Sequence, residues 1–515
     1  MRDKSHITDY EPVTRSRQAG LWEDDPAGEE WPRQNRAEAA GDGLTDSHAG
    51  ARVGGANDQL PPAPARAGSA PNWVLKRGHM LSYLGLFLFT AVLYFRPYEL
   101  IPALSSFNNM AFVLAVATLL VFFPTQLALE GTLTARPREV NLLLLLCLVA
   151  LLSIPLAIDP GVAWDMFSGN FIKAILMFIV MVNVVRTPRR LKALILLALA
   201  VSLFLSVGAL KDYYSGNVII EGYRVAGRIG GLFDNPNDLA LHLATMIPIA
   251  VALLLSARGV MGKLTYGVCA ALMLAAITVT FSRGGFLGLV AASTFLAWKL
   301  GRRNRFVVVV IMLVAAILFL ALAPGNFSVR ILSIFIPGLD PVGSSGARQQ
   351  LLIKSVLVAL RHPLLGVGMG NFPIVSIHDQ VTHNAYTQVA SEMGAAALAF
   401  YVLLIVSPLR RLREIEDQTY EARRASRFYY LSVGLQASLV GYMVSSFFAS
   451  VAYLWYVYYL VGYAVCLRRM YEAEHGLLKE PTVSGAEQGA ERTPEARGRA
   501  EVFPEPKAEG RLVAE

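Results

Sequence analysis

Arginines at the edges of apolar runs are the residues in this chain whose chemistry is easiest to read. Arg228 stands in R-I-G-G-L-F-D-N-P-N, just ahead of one such run. A planar guanidinium can grip a phosphate or pyrophosphate through paired hydrogen bonds. The alternative is a tight turn whose arginine snorkels to lipid headgroups. Gly230 and Gly231 permit close backbone approach, Asn235-Pro236 signals a turn, and Asn237 is expected to N-cap the next helix. Arg283, in T-F-S-R-G-G-F-L-G, falls between two apolar runs with almost no loop. A charge so close to hydrocarbon has to be paired or hydrated. Either a carboxylate such as Asp234 or Glu392 meets it, or it is a second anion-binding arginine in a wet cavity.

His383 opens the stretch H-N-A-Y-T-Q-V-A-S-E-M-G, with Asn384, Glu392 and Gly394 close by in sequence. An imidazole with an ordinary pKa near 6.5 suits proton transfer at neutral pH, although a lone histidine is often structural. His378 lies nearby, but no Asp, Glu or Cys completes a convincing ligand spacing, so neither a metal nor a cofactor is expected. The run G-V-G-M-G-N-F (366–372) lacks the full dinucleotide fingerprint and the strand before it, and reads as a flexible turn near a site. The candidate catalytic residues are therefore His383, Arg228 and Arg283. The candidate substrate-binding residues are Arg224, Asn235, Asn237, Asn384, Glu392, Lys354 and Arg361.

The elements that must position them are transmembrane helices. Of the 515 residues 54% are hydrophobic and only 16% charged, well below the quarter or so usual in soluble domains. A span needs about 20 mostly apolar residues. Twelve are expected: 79–95, 108–124, 140–157, 167–185, 191–210, 238–256, 264–281, 285–299, 306–323, 388–408, 428–447 and 450–467. The fold class is thus all-α, a polytopic helical bundle over 76–470. The segments 1–75 and 471–515, polar and poor in long aliphatic runs, are expected to be disordered cytoplasmic tails. Cys147, Cys269 and Cys466 all fall in apolar runs, which excludes a disulfide framework. The net charge of +8 sits beside the spans, where topology accounts for it without nucleic acid.

Lys and Arg in short loops set orientation. With both ends inside, the inner loops hold Arg136 and Arg138; Arg186, Arg189, Arg190 and Lys192; Arg258 and Lys263; Lys299 to Arg305; and Arg410 to Arg427. Arg96, Arg224, Arg228 and Arg283 then fall outside, against the rule, so something other than topology places them there. Two outward segments are long, 211–237 and 324–387. The second should contain helices, because structureless loops of that length are uncommon. ARQQLLIKSVLVALRHP (347–363) is one candidate. It reads as a helix lying at the interface, or as a positive lip for an anionic lipid through Lys354 and Arg361.

In this order and topology the motifs resemble those of the O-antigen ligase and polymerase superfamily of bacterial envelope proteins. R-I-G-G-L (228–232) is similar to the ligases' Arg-x3-Leu pattern and runs into F-D-N-P-N; S-R-G-G (282–285) is similar to a second arginine motif; His383-Asn384 with Gly394 is similar to the His-Asn-x9-Gly motif. The resemblance covers about 80–470 and is strongest over 224–400. It implies metal-independent glycosyl transfer on the outer face of the bacterial inner membrane. The donor would be an undecaprenyl-pyrophosphate-linked glycan. The acceptor would be a lipid A–core sugar in a ligase or a second lipid-linked glycan in a polymerase. Arg228 and Arg283 would hold the pyrophosphate, and His383 would orient or deprotonate the acceptor hydroxyl, or else bind phosphate. Ala397 departs from the Gly, Thr or Tyr that ligases often carry at the end of the histidine motif. A transporter of lipid-linked glycans is the competing class. It would call for repeat symmetry and polar residues at mid-membrane, whereas here the polar residues concentrate on one side.

Overall fold

The computed structural model describes residues 73–477, except 108, 218–222, 228, 230–232, 303–304, 309, 311–316, 318–326, 333–343 and 378. Apart from a few short helical turns, the helices are α1 (Trp73–Phe95), α2 (Met110–Glu130), α3 (Arg138–Ser153), α4 (Pro160–Val184, with a π-helical turn at Phe167–Phe171), α5 (Pro188–Tyr214), α6 (Pro236–Ser256), α7 (Val260–Thr280), α8 (Arg283–Leu300), α9 (Ser344–Arg361), α10 (Ala385–Thr419), α11 (Tyr429–Ser445) and α12 (Trp455–Glu474). No strand occurs among the described residues.

Nine of these, α1 to α7, α10 and α11, are long and apolar enough to cross a membrane. That is fewer than the twelve expected. Two of the remaining three expected spans are helices, α8 and α12, but too polar to qualify: α8 carries Arg283 and Lys299, and α12 carries five tyrosines with Arg468 and Arg469. The third, 306–323, lies mostly outside the described residues. Helix α1 begins at Trp73 and α12 reaches Glu474. Residues 1–72 and 478–515 lie outside the described residues.

The polarity of α12 has a physical reason. Tyr456, Tyr458, Tyr459 and Tyr463 are all buried against other helices, so this helix meets protein where α2 meets lipid through exposed Phe112, Val113 and Leu120. A helix enclosed by its neighbours need not be lipophilic, and tyrosine adds packing area with a hydroxyl that finds partners. One such partner is Thr90 of α1, 2.8 Å from the Tyr459 hydroxyl.

Helices α6, α8 and α11 approach closely through small residues. A Cβ on Gly285 would lie 2.4 Å from Ala240 Cβ, and one on Gly288 would lie 1.8 Å from Ser445 Oγ. Such contacts drive helix association where lipid supplies no hydrophobic force. They bring the starts of α6 and α8 to one end of the bundle together with the end of α11.

The opposite end is fixed by charge. Glu139 of α3 accepts two hydrogen bonds from Arg468 of α12, at 2.8 and 2.9 Å, and a third from Ser407 of α10. Fully buried Glu416 of α10 accepts from Lys299 at 2.7 Å, Arg302 at 2.6 Å and Gln436 at 3.0 Å. Breaking a buried pair of this kind costs about 3–5 kcal/mol. Arg186 and Arg190 donate to the carbonyls of Asn183 and Val184, and Arg469 donates to that of Val182, so three arginines satisfy the C-terminus of α4. The basic residues that the positive-inside rule counts therefore also hold helices together.

Candidate functional site

The start of α6 is built differently from the sequence expectation. Asn235, not Asn237, is the N-cap: its Oδ1 accepts from the Asn237 N–H at 2.9 Å, and Pro236 takes the first helical position, where a missing N–H costs nothing. Asn237 is thereby free for a different task. Its Oδ1 accepts from Arg224 Nη2 at 2.9 Å and from Ser282 Oγ at 2.9 Å. Arg224 is 4% exposed, and its Nε donates to the Thr280 carbonyl at 3.0 Å. Arg224 thus ties its own loop to the end of α7 and the start of α6. The candidate substrate-binding residues Arg224, Asn235 and Asn237 stand together at the start of α6. Arg228 lies outside the described residues. Its neighbours Gly227 and Ile229 are described, and the Gly227 N–H donates to the Phe233 carbonyl at 2.7 Å.

Arg283 adjoins this group of residues. Ser282 N-caps α8 by accepting from the Gly285 N–H at 3.2 Å, which makes Arg283 the first helical residue, half-buried. The chain enters this turn through Phe281, in the left-handed region at φ 50, with its ring packed on Tyr213, Tyr223 and Phe327. Phe327 belongs to a short helix, Phe327–Leu332, within the 324–387 segment, where helices were expected.

His383 sits at the start of α10, also left-handed at φ 51. Asn384 is the N-cap; its Oδ1 accepts from Tyr386 and Thr387 N–H at 2.9 and 3.1 Å. Its buried Nδ2 has no hydrogen-bond partner. Burial first, and then the nearby Arg348 charge, push the His383 pKa down to about 4. The α9 cation whose charge bears on His383 is therefore Arg348, which the sequence reading did not single out. Of the two it did single out, Lys354 is half-buried and Arg361 is exposed. Helix α9 buries Leu351, Ser355 and Val358 and leaves Ile353, Val356, Leu357 and Leu360 exposed, an apolar outer face suited to a lipid interface.

Glu392 is engaged within the protein. At 2% exposed, it accepts from Tyr453 OH at 2.7 Å and from the Gly370 and Phe372 N–H groups at 3.0 and 3.4 Å. This set leaves no role for it as the carboxylate partner considered for Arg283. The 366–372 run is likewise a docked loop and not a flexible turn. Val367 and Gly368 donate to the carbonyls of Ser391 and Glu392 at 2.9 Å, and Ala395 donates to that of Pro363 at 2.8 Å. Helix α10 is broken there by Gly394, at φ 84 and ψ −177.

The Arg283 turn and His383 both touch the end of α11 and the short connection, 446–454, that follows it to α12. On one side Ser445 Oγ donates to the Gly284 carbonyl at 3.3 Å, and Phe448 packs on Gly284. On the other side the His383 N–H donates to Ser450 Oγ at 2.8 Å. The N-termini of α6, α8, α10 and α12 share this end, so four positive dipole ends add to its arginines. Neither Ser450 nor Ser282 was singled out from sequence. Ser282 had a signal, as a serine ahead of a helix start. Ser450 had none, because its partner is 67 residues away.

Residues 268–402 match the family model of O-antigen ligase. No curated protein matches the chain. The matched segment holds Arg283, Arg348, His383, Asn384, Glu392 and Gly394, and bears out the superfamily resemblance read from the motifs. Arg224 and Arg228 precede it, and Ser450 follows it.

Proposed function

From a membrane-embedded helical chain with an O-antigen ligase segment, we propose a glycosyltransferase that moves a glycan from an undecaprenyl-pyrophosphate carrier to an acceptor sugar hydroxyl. The acceptor oxygen bonds to the anomeric carbon, the bond to pyrophosphate breaks, and the hydroxyl proton passes to His383. Arg283 and Arg228 meet the leaving pyrophosphate and the charge it gathers. Arg348, on the same side of the bundle as His383, adds to that positive field. The observation that carries this reading is the stretch from the end of α11 to α12, which touches Gly284, next to Arg283, and accepts a hydrogen bond from the His383 backbone. Burial, and then the Arg348 charge, keep the His383 imidazole neutral at pH 7 and make it a weaker base than an ordinary histidine.

The acceptor under this reading is a lipid A–core sugar. A polymerase joining two lipid-linked glycans is the second reading, favoured by fully buried Ala397 in place of the larger or more flexible residues of many ligases. Deleting the gene should leave lipid-linked glycan accumulating unattached. Normal attachment to the acceptor in the deletion strain would refute the proposal.

Arg283→Lys and Arg228→Lys should each lose most transfer, about tenfold or more, with protein level retained. Lysine keeps the charge but lacks the paired donors of guanidinium. Full activity in both would reduce these arginines to lipid-facing side chains.

In the proposed setting this end faces outward across the bacterial inner membrane, with both termini in the cytoplasm. A cysteine placed at 418, beside the Glu416 ion pairs, should react with a membrane-impermeant maleimide only after the cells are opened. Labelling in intact cells would invert the topology and remove the site from the outer face.

A further inference from the structure

Among the described residues the His383 ring makes no hydrogen bond, so its placement depends on the backbone that carries it. That backbone is left-handed, at φ 51. Histidine tolerates this region better than most residues, but such a conformation persists only where its surroundings enforce it. Beyond the α10 cap bonds, a hydroxyl from a distant part of the chain contacts this turn. Ser450 Oγ accepts the His383 N–H at 2.8 Å and lies 3.0 Å from Thr382 Oγ1. Thr382 Oγ1 in turn donates to the Asn384 carbonyl at 3.0 Å and accepts from the Asn384 N–H at 3.4 Å. The turn 382–384 is thus closed on itself, continued into α10 through the Asn384 cap, and bonded across the fold to Ser450.

We propose that Ser450 is a positioning residue for transfer, whose hydroxyl fixes the left-handed turn at His383 and so sets the imidazole against the acceptor hydroxyl. This rests on the reading of His383 as the proton acceptor. Ser450 follows the segment matched to the ligase family. It stands on the connection that also packs against Gly284, next to Arg283. One loop therefore sets the distance between the group that takes the proton and the arginine proposed to meet the leaving group. Small displacements of such a group cost rate steeply, because catalytic geometry tolerates little error.

The test compares Ser450→Ala, Ser450→Thr and His383→Ala in membranes. The donor is the lipid-linked glycan extracted from a deletion strain, and acceptor membranes come from the same strain. Ser450→Ala should lower kcat about tenfold, the worth of one hydrogen bond, with donor KM unchanged. The acid limb of its pH profile should move from near 4 toward the ordinary 6.5, as the ring gains solvent and leaves Arg348, the charged group that bears on it. Ser450→Thr, which keeps the hydroxyl, should restore both. A wild-type kcat and profile in Ser450→Ala would overturn the proposal. So would an equal loss at every pH accompanied by a lower thermal midpoint, which marks a stability effect alone. Full activity in His383→Ala would instead remove the proton-acceptor reading. An inactive His383→Ala beside a normal Ser450→Ala removes only Ser450.

Discussion

His383→Ala is expected to lower glycan transfer by about 10²–10⁴-fold, the usual worth of general-base assistance, while binding of the lipid-linked donor is largely spared. The division of labour is spatial. Arg283 belongs to the start of α8 and His383 to the start of α10, so removing the imidazole leaves the proposed Arg283 contact with pyrophosphate in place. A glycan gel and a donor-binding measurement on the same membranes read the two effects separately. Loss of donor binding alongside loss of transfer would assign His383 to phosphate instead. The pH dependence supplies an independent readout. With its pKa lowered to about 4, folded His383 stays neutral from pH 7 down to that value, whereas the unfolded chain takes up the proton near 6.5. Between these values the unfolded state binds more protons, so stability attributable to this group is complete above about 6.5 and falls as the pH drops toward 4. His383→Ala should flatten that part of the stability curve. An unchanged slope would mean that the ring is not buried as described.

Gly394→Ala is expected to destabilise the protein by about 3 kcal/mol or more and to abolish transfer with it. At φ 84 and ψ −177 the backbone occupies a region that is essentially glycine's alone. A Cβ there would also lie 2.3 Å from the Leu364 carbonyl oxygen and 2.7 Å from that of Pro363, backbone atoms that cannot swing aside. The loop 363–372 would have to leave the break in α10, taking with it the donors that satisfy buried Glu392. Faster proteolysis within 363–372 and a lower thermal midpoint in detergent check this. Gly346→Ala is the control. It lies within helix α9 with open space around its Cβ position, so it should be neutral or mildly stabilising. A Gly394→Ala protein with normal midpoint and activity would show that the loop can rearrange at little cost.

Much of the bundle is legible along the sequence because a lipid-facing helix has to declare itself. Exposed faces such as that of α2 must be apolar, and hydropathy finds them. Helices α8 and α12 declare themselves less clearly, α12 because its surroundings are protein and α8 because small residues and Arg283 and Lys299 dilute its apolar face. Periodicity and length located them, but only packing explains why five tyrosines are tolerated in α12. The motif glycine Gly394 was visible as a letter, and its reason, a broken helix with two carbonyls against it, was not.

For the site, sequence by itself determined the residue types and their end of the molecule: arginines against the topology rule, a histidine at a helix start, and the order of three motifs. It could not determine which polar groups are spent on the protein's own backbone. Arg224 and Asn237 brace helix ends, Asn235 takes the cap, and Glu392 holds a glycine loop, all through partners distant in sequence. Those assignments, with Arg348 beside His383 and Ser450 beneath it, were decided by the tertiary structure. The physical reason is that a buried polar atom must be satisfied by whatever the fold brings near it, and that neighbour has no fixed spacing along the chain.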